Sequence, residues 1–386
     1  MKSLNHLMVR VNINTIALFF IFVLSSAWLQ TVTHFSPAYL GIFLCVILIF
    51  CYITNGGYLK VSFSSLFLLY LLFIAYIIIE IVLTNSKGYE FQYIRFLLYN
   101  QLYMILILFC GKNQTKNDLL FLSTVYLKVT ILFLGADFIY RIANFSIITT
   151  NPVYFFYNLK YNSLLFSSDS NYTGVLAIIS YGFFLYLKNR FSYKNIVLQF
   201  LYILLTIATL SRAAIFTLLL LEYFSFNRYL LNKKKYLLFS IEICGVGYGV
   251  LILVLKYIND SSLLSKFAML SGFLNYYLPH VDMYHFLFGY GWHEVGVDSA
   301  ELLGGTQYGG HLFIILMIQG FGFIGFLFII LFLILSLFYS RGKTNYVIFP
   351  YIVVGFSSVP LLIPYMYAII GMQLLLEKID YKKVVA

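Results

Sequence analysis

Apolar residues along this chain fall into long, nearly uncharged runs, without the 3.6-residue stripe of a half-buried helix or the alternation of a half-buried strand. Such runs predict passages through a bilayer, where only helices or closed barrels satisfy the polar groups of the backbone. The pattern predicts helices over 13–29, 37–53, 63–83, 94–110, 118–139, 171–187, 195–209, 211–225, 236–255, 311–338, 346–358 and 362–376. The expected fold is therefore an all-α, polytopic transmembrane helical bundle of about twelve spans. Runs shorter than the ~20 residues that cross a bilayer comfortably are expected to pack inside the bundle or tilt little. No polar stretch leaves room for a separate soluble domain of ~100 residues, so 1–386 reads as a single integral membrane domain.

Charge decides where the runs divide. Residues 195–225 read either as one helix with Arg212 at its centre or as two helices that meet just before it. Lys188, Arg190 and Lys194 precede this stretch, and Arg228, Lys233, Lys234 and Lys235 follow it. Positive flanks belong on the cytoplasmic side, so the number of crossings between them is even and the stretch is split. The same argument divides the last apolar stretch at Pro360, between Arg341/Lys343 and Lys378/Lys382/Lys383. Both termini then lie in the cytoplasm, and the external loops of any size are about 140–170 and 256–310, the larger one directly before a late helix. The first run reads as an uncleaved helix rather than a signal peptide, because so many spans follow it.

Composition agrees, with 62% hydrophobic and only 10% charged residues. The net charge of +11 follows from lysines and arginines clustered between apolar runs, which is loop bias rather than a nucleic-acid surface. Cys45, Cys51, Cys110 and Cys244 all sit inside apolar runs and read as packed thiols. Lys128 is the one base deep within a predicted span.

Four stretches carry candidate chemistry. Ser211-Arg212 opens a predicted helix at the outer surface. Helix amides and a guanidinium together make an anion site suited to phosphate, and the competing reading is an arginine that snorkels to lipid headgroups. His311 opens "HLFIILMIQGFGFIGF", where the helix dipole disfavours a second positive charge and leaves a neutral imidazole able to act as a base. Its competing reading is an interface anchor. Gly320, Gly322 and Gly325 lie deeper in the same run, where glycines allow a helix or lipid chain to approach the backbone. "FLFGYGWHEVGVDSAELLGG" sets Gly289 and Gly291 beside Trp292, a platform on which a sugar ring can stack. In "SSDSNYTGV", Asp169 and Asn171 head another predicted helix, where capping is the plain alternative. His280, His285 and His293 match no metal-ligand spacing, and no metal or other cofactor is expected.

In this order the four motifs resemble the bacterial O-antigen polymerase and ligase superfamily. There a histidine opens a late helix as His-[Asn/Ser/Gln]-x9-Gly-x-x-Gly after a large periplasmic loop, and His311, Gly322 and Gly325 take those positions here. Asp169-x-Asn171, Ser211-Arg212 and Phe288-Gly289-x-Gly291 match the family's other stretches, so the resemblance covers roughly residues 165–340. Two departures stand out. Leu312 replaces the small polar residue, and the nearest match to the family's loop arginine is Lys266 in "LLSKFAML", which keeps the charge and loses the bidentate fork.

The resemblance implies glycosyl transfer between polyprenyl-diphosphate-linked oligosaccharides at the outer face of the bacterial cytoplasmic membrane. Arg212 and His311 would be the catalytic pair, and Ser211, Lys266, Asp169, Asn171, Gly289, Gly291 and Trp292 would bind substrate. The implied partners are these lipid-linked glycans, membrane lipids and a chain-length regulator protein; no nucleic acid is among them. Polymerase is the leading expectation. The alternatives are O-antigen ligase, which shares the motifs, and a lipid-linked oligosaccharide flippase, which would spread charges at mid-membrane depth through both halves.

Overall fold

The computed structural model describes residues 13–27, 37–54, 65–85, 102–145, 159–160, 163–165, 170–232, 261–289, 312–355 and 363–385. Every extended element among them is a helix, and there is no strand. The helices are α1 (Ile13–Leu24), α2 (Pro37–Thr54), α3 (Ser65–Asn85), α4 (Lys116–Ala143), α5 (Ser170–Phe191), α6 (Ile196–Ala208) and α7 (Arg212–Asn232). They continue as α8 (Ser261–Gly272), α9 (Met283–Phe288), α10 (Phe313–Tyr339), α11 (Asn345–Gly355) and α12 (Pro364–Val385). Residues 102–110 are also helical. A π turn, Phe273–Tyr277, and one short turn, Leu278–His280, prolong α8. The expected helix 236–255 lies outside the described residues.

The chain does divide before Arg212, with α6 ending at Ala208 and α7 starting at Arg212. Several boundaries move for local reasons. Helix α4 starts at Lys116 because Thr115 and Asp118 form a reciprocal capping box, and it runs on to Ala143. Helix α5 extends to Phe191, which places Lys188 and Arg190 in its last turn beside the negative end of the dipole. Helix α12 extends past Leu376 to Val385 and carries Glu377 to Arg190 at 3.2 Å.

Two stretches among the described residues, Lys116–Ala143 and Met317–Tyr339, are long and apolar enough to cross a membrane. Large apolar side chains face outward around the bundle, among them Phe43, Phe50, Val82, Leu132, Ile196 and Phe338. Water disfavours such a surface and lipid does not. Lys128, near the middle of α4, is exposed on this outer surface rather than turned into the bundle.

Helix α5 is the central rod. Its residues from Thr173 through Leu187 are all buried, as expected of a helix that is apolar all round. It packs against α4, α6, α7 and α11. Phe22 of α1 is fully buried, its ring stacked on Tyr126 of α4 at 4.5 Å and edge-on to Phe183 of α5 at 6.0 Å. Basic side chains collect at the end where α5 finishes. Lys116 lies over the Phe191 ring at 4.7 Å, Lys188 donates to Gln199 at 3.0 Å, and Arg190 pairs with Glu377.

Phe22→Ala should destabilise the detergent-solubilised protein by about 3–5 kcal/mol, because the three-ring contact has no other filler. Leu132→Ala, on the outer face of α4, should stay within about 0.5 kcal/mol. Unfolding monitored side by side for the two variants checks the assignment of inside and outside, and equal losses would contradict it.

Candidate functional site

The heads of α5 and α7 meet at the end of the bundle opposite the basic cluster. Gly174, one turn into α5, lies against the start of α7, and a Cβ built there would sit 2.8 Å from Ser211 Cβ and 2.9 Å from Ala214 Cβ. Arg212 is exposed in the first turn of α7 and Asn171 is half-buried in the first turn of α5, so these two residues share one mouth. Ser211 directly precedes α7, the position from which a serine hydroxyl ordinarily caps a helix. Its side chain does not, because the buried Oγ finds no partner, and Ser211 N instead donates to Thr209 Oγ1 at 3.2 Å. Ser170, on the same face of α5 one turn before Gly174, has a second buried and unpartnered hydroxyl. Two amide-rich helix starts, an exposed guanidinium and two unspent hydroxyls make an environment that favours a phosphate-like anion.

Just inward of the mouth lies a group that sequence reading missed. Asp137 and Arg141 of α4 are both buried and pair at 2.9 Å. Arg141 Nη1 donates to Ala208 O at 2.9 Å, while Asp137 Oδ1 accepts from Ser163 Oγ at 2.8 Å and Leu164 N at 2.7 Å. Ser163 Oγ lies 2.8 Å from Thr173 Oγ1 at the head of α5. The available signal was an Asp–Arg pair at i,i+4 closing an apolar run; ending the predicted helix at 139 put Arg141 in a loop.

The glycine motifs meet each other. Gly322 (φ +64°, ψ −179°) breaks α10, and Gly289 (φ +80°) ends α9. A Cβ on Gly289 would stand 2.5 Å from Gly320 O and 2.6 Å from Gly322 N, and one on Gly322 would overlap Leu287 O and stand 2.5 Å from Phe288 N. Both positions require the left-handed region that glycine tolerates, and both exclude a side chain. Tyr76 of α3 donates to Phe321 O at the break at 2.5 Å. Helix α10 starts at Phe313 with Leu312 as N-cap. Phe313 is 6% exposed and packs edge-on against Tyr351 of α11 at 5.5 Å, so the start of α10 is set in the core.

His311, Asp169, Gly291 and Trp292 lie outside the described residues. Lys266 is half-buried on α8, which Met269 and Phe273 pack against Ile315 and Ile318 of α10. Lys266 is thus brought to the first half of α10, on the side of the glycine contact. His285 is used locally, its Nδ1 lying 2.5 Å from Asp282, the N-cap of α9; that bond holds the Asp282 carboxyl below the usual carboxylate range. No cluster of potential metal ligands occurs among the described residues.

Compared with known proteins, the chain matches no protein-family model and no curated sequence.

Gly289→Ala and Gly322→Ala should each cost about 2 kcal/mol or more, from left-handed strain combined with overlap of the facing backbone. Gly135→Ala, on α4 with open space around it, should be neutral or slightly stabilising. Melting of the three variants in one detergent measures the contrast, and it vanishes if residues 287–289 do not rest on α10.

Proposed function

We propose that the chain is a polysaccharide polymerase of the bacterial cytoplasmic membrane that joins polyprenyl-diphosphate-linked oligosaccharide repeats at the outer face. The observation that carries this reading is the pairing of the four motifs in space. Asn171 and Ser211-Arg212, 40 residues apart in the chain, head helices in contact at one mouth, and Phe288-Gly289 rests directly on Gly322. In this proposal the multi-pass bundle stands with the end carrying Lys116, Lys188 and Arg190 in the cytoplasm, so Arg212 faces outward.

In the reaction, the terminal hydroxyl of one lipid-linked repeat attacks the anomeric carbon of the glycan on another. The new C–O bond forms as the bond from that carbon to the lipid diphosphate breaks. The diphosphate leaves with the electron pair, and the hydroxyl proton passes to His311. Arg212, the amides of α7 and the Ser211 hydroxyl stabilise charge on the departing phosphate, with Lys266 adding a cation from the α8 side. Asp169, Asn171, Gly291 and Trp292 belong to the sugar and headgroup contacts. No nucleotide or metal takes part. Lys128, the base that the sequence places deepest in a span, faces outward and so does not supply the mid-membrane cavity charge that a flippase reading calls for.

A deletion strain tests the proposal on one gel of surface polysaccharide. Loss of a polymerase leaves single repeats on their acceptor, loss of a ligase leaves polymer on its lipid carrier, and loss of a flippase traps repeats on the inner leaflet. The expected result is the first, with no ladder restored by Arg212→Ala, a partial ladder by Arg212→Lys, and a loss of roughly 10²-fold or more for His311→Ala. An unchanged ladder in the deletion strain removes the function. A phosphatase fused after residue 300 should be active, and an inactive fusion overturns the orientation.

A further inference from the structure

The contacts around Asp137 close into a ring. Starting from its carboxylate, the path runs to Ser163, from Ser163 to Thr173 at the head of α5, and from the adjoining Gly174 to Ser211 at the head of α7. It returns from Ser211 through the α6–α7 turn to Ala208, whose carbonyl accepts from Arg141, and Arg141 closes on Asp137. Within that turn Leu210 is held at φ +56°, a conformation a non-glycine residue keeps only when its surroundings impose it. The turn is fixed at both sides of Leu210: Thr209 Oγ1 donates to Thr206 O at 2.7 Å and accepts from Ser211 N, and Arg141 holds Ala208. Arg212 follows immediately.

We infer that Asp137 and Arg141 are positioning residues that act through Arg212, by locking the α6–α7 turn in register with the head of α5. The inference rests on the reading of Arg212 as a diphosphate-binding group. A buried ion pair is a poor device for stability alone, since apolar side chains of similar volume often replace one without loss. Its geometry here suits placement. The planar guanidinium spans two acceptors at once, Asp137 through Nε and Ala208 through Nη1, which an ammonium on a flexible stem does not do at the same geometry. Asp137 likewise divides its two oxygens, Oδ2 to Arg141 and Oδ1 to the 163–164 segment.

The test uses the full chain in nanodiscs and farnesyl diphosphate as a soluble lipid-diphosphate probe, with dissociation constants for wild type, Arg141→Lys, Arg212→Ala and the double variant. Arg141→Lys should weaken binding about tenfold in the wild-type background and less than about twofold when Arg212 is already alanine. Asp137→Leu/Arg141→Met, which removes both charges together, should melt near wild type and show the same weakening. It serves as the readout if Arg141→Lys does not fold. Equal fold-changes in both backgrounds, or wild-type affinity in Asp137→Leu/Arg141→Met, overturn the positioning role. Affinity that Arg212→Ala leaves untouched overturns the diphosphate reading itself and this inference with it, whereas an Arg212-dependent affinity that Arg141→Lys leaves untouched overturns the inference alone.

Discussion

A carboxylate sealed away from solvent must be satisfied by protein groups alone, and at Asp137 that requirement organises one whole end of the bundle. Its oxygens are met by a guanidinium, a hydroxyl and a backbone amide drawn from different parts of the chain. Leaving any of these donors out would strand charge in an apolar interior, at several kcal/mol. The end of α4, the segment at 163–165, the head of α5 and the turn between α6 and α7 therefore have one mutually consistent arrangement. The mouth where Asn171, Ser211 and Arg212 come together is a result of that arrangement.

The other half of the candidate site depends on shape. Helix α9 and the broken helix α10 touch through glycine backbone, with Tyr76 reaching from α3 to the carbonyl beside the break. A carbonyl at a helix break in an apolar setting needs a donor from elsewhere, and the tyrosine hydroxyl is one. One half of the site is thus held by charge and the other by close approach. The central helix α5 touches the first half at its head and packs against α11 along its length.

Much of this was legible in the sequence because two strong signals carry it. Uniform apolar runs indicate helices, and clusters of lysine and arginine indicate on which side a run must end, which is how a break just before Arg212 emerges from counting charges. The capping box at Thr115 and Asp118 is equally readable and moves the start of α4 by two residues from the expected position. What was not legible depends on contacts between distant segments. Gly322 looks like a packing glycine until Leu287 is found against it, and Ser211 looks like a cap until its hydroxyl is found buried and unspent. Asp137 and Arg141 were hidden for a different reason. Charged residues at the end of an apolar run ordinarily mark its exit to water, and only burial shows that these two turn inward.

The contact between Gly289 and Gly322 has a consequence for how the protein can diversify. Main-chain atoms form it at the two glycines, while beside it the Phe286 ring stacks on Phe323 at 5.6 Å. Substitution is therefore closed at Gly289 and Gly322 and coupled between positions 286 and 323, where a change on one helix calls for a matching change on the other. Chains that keep this contact would carry glycine at both positions and change the aromatic pair together.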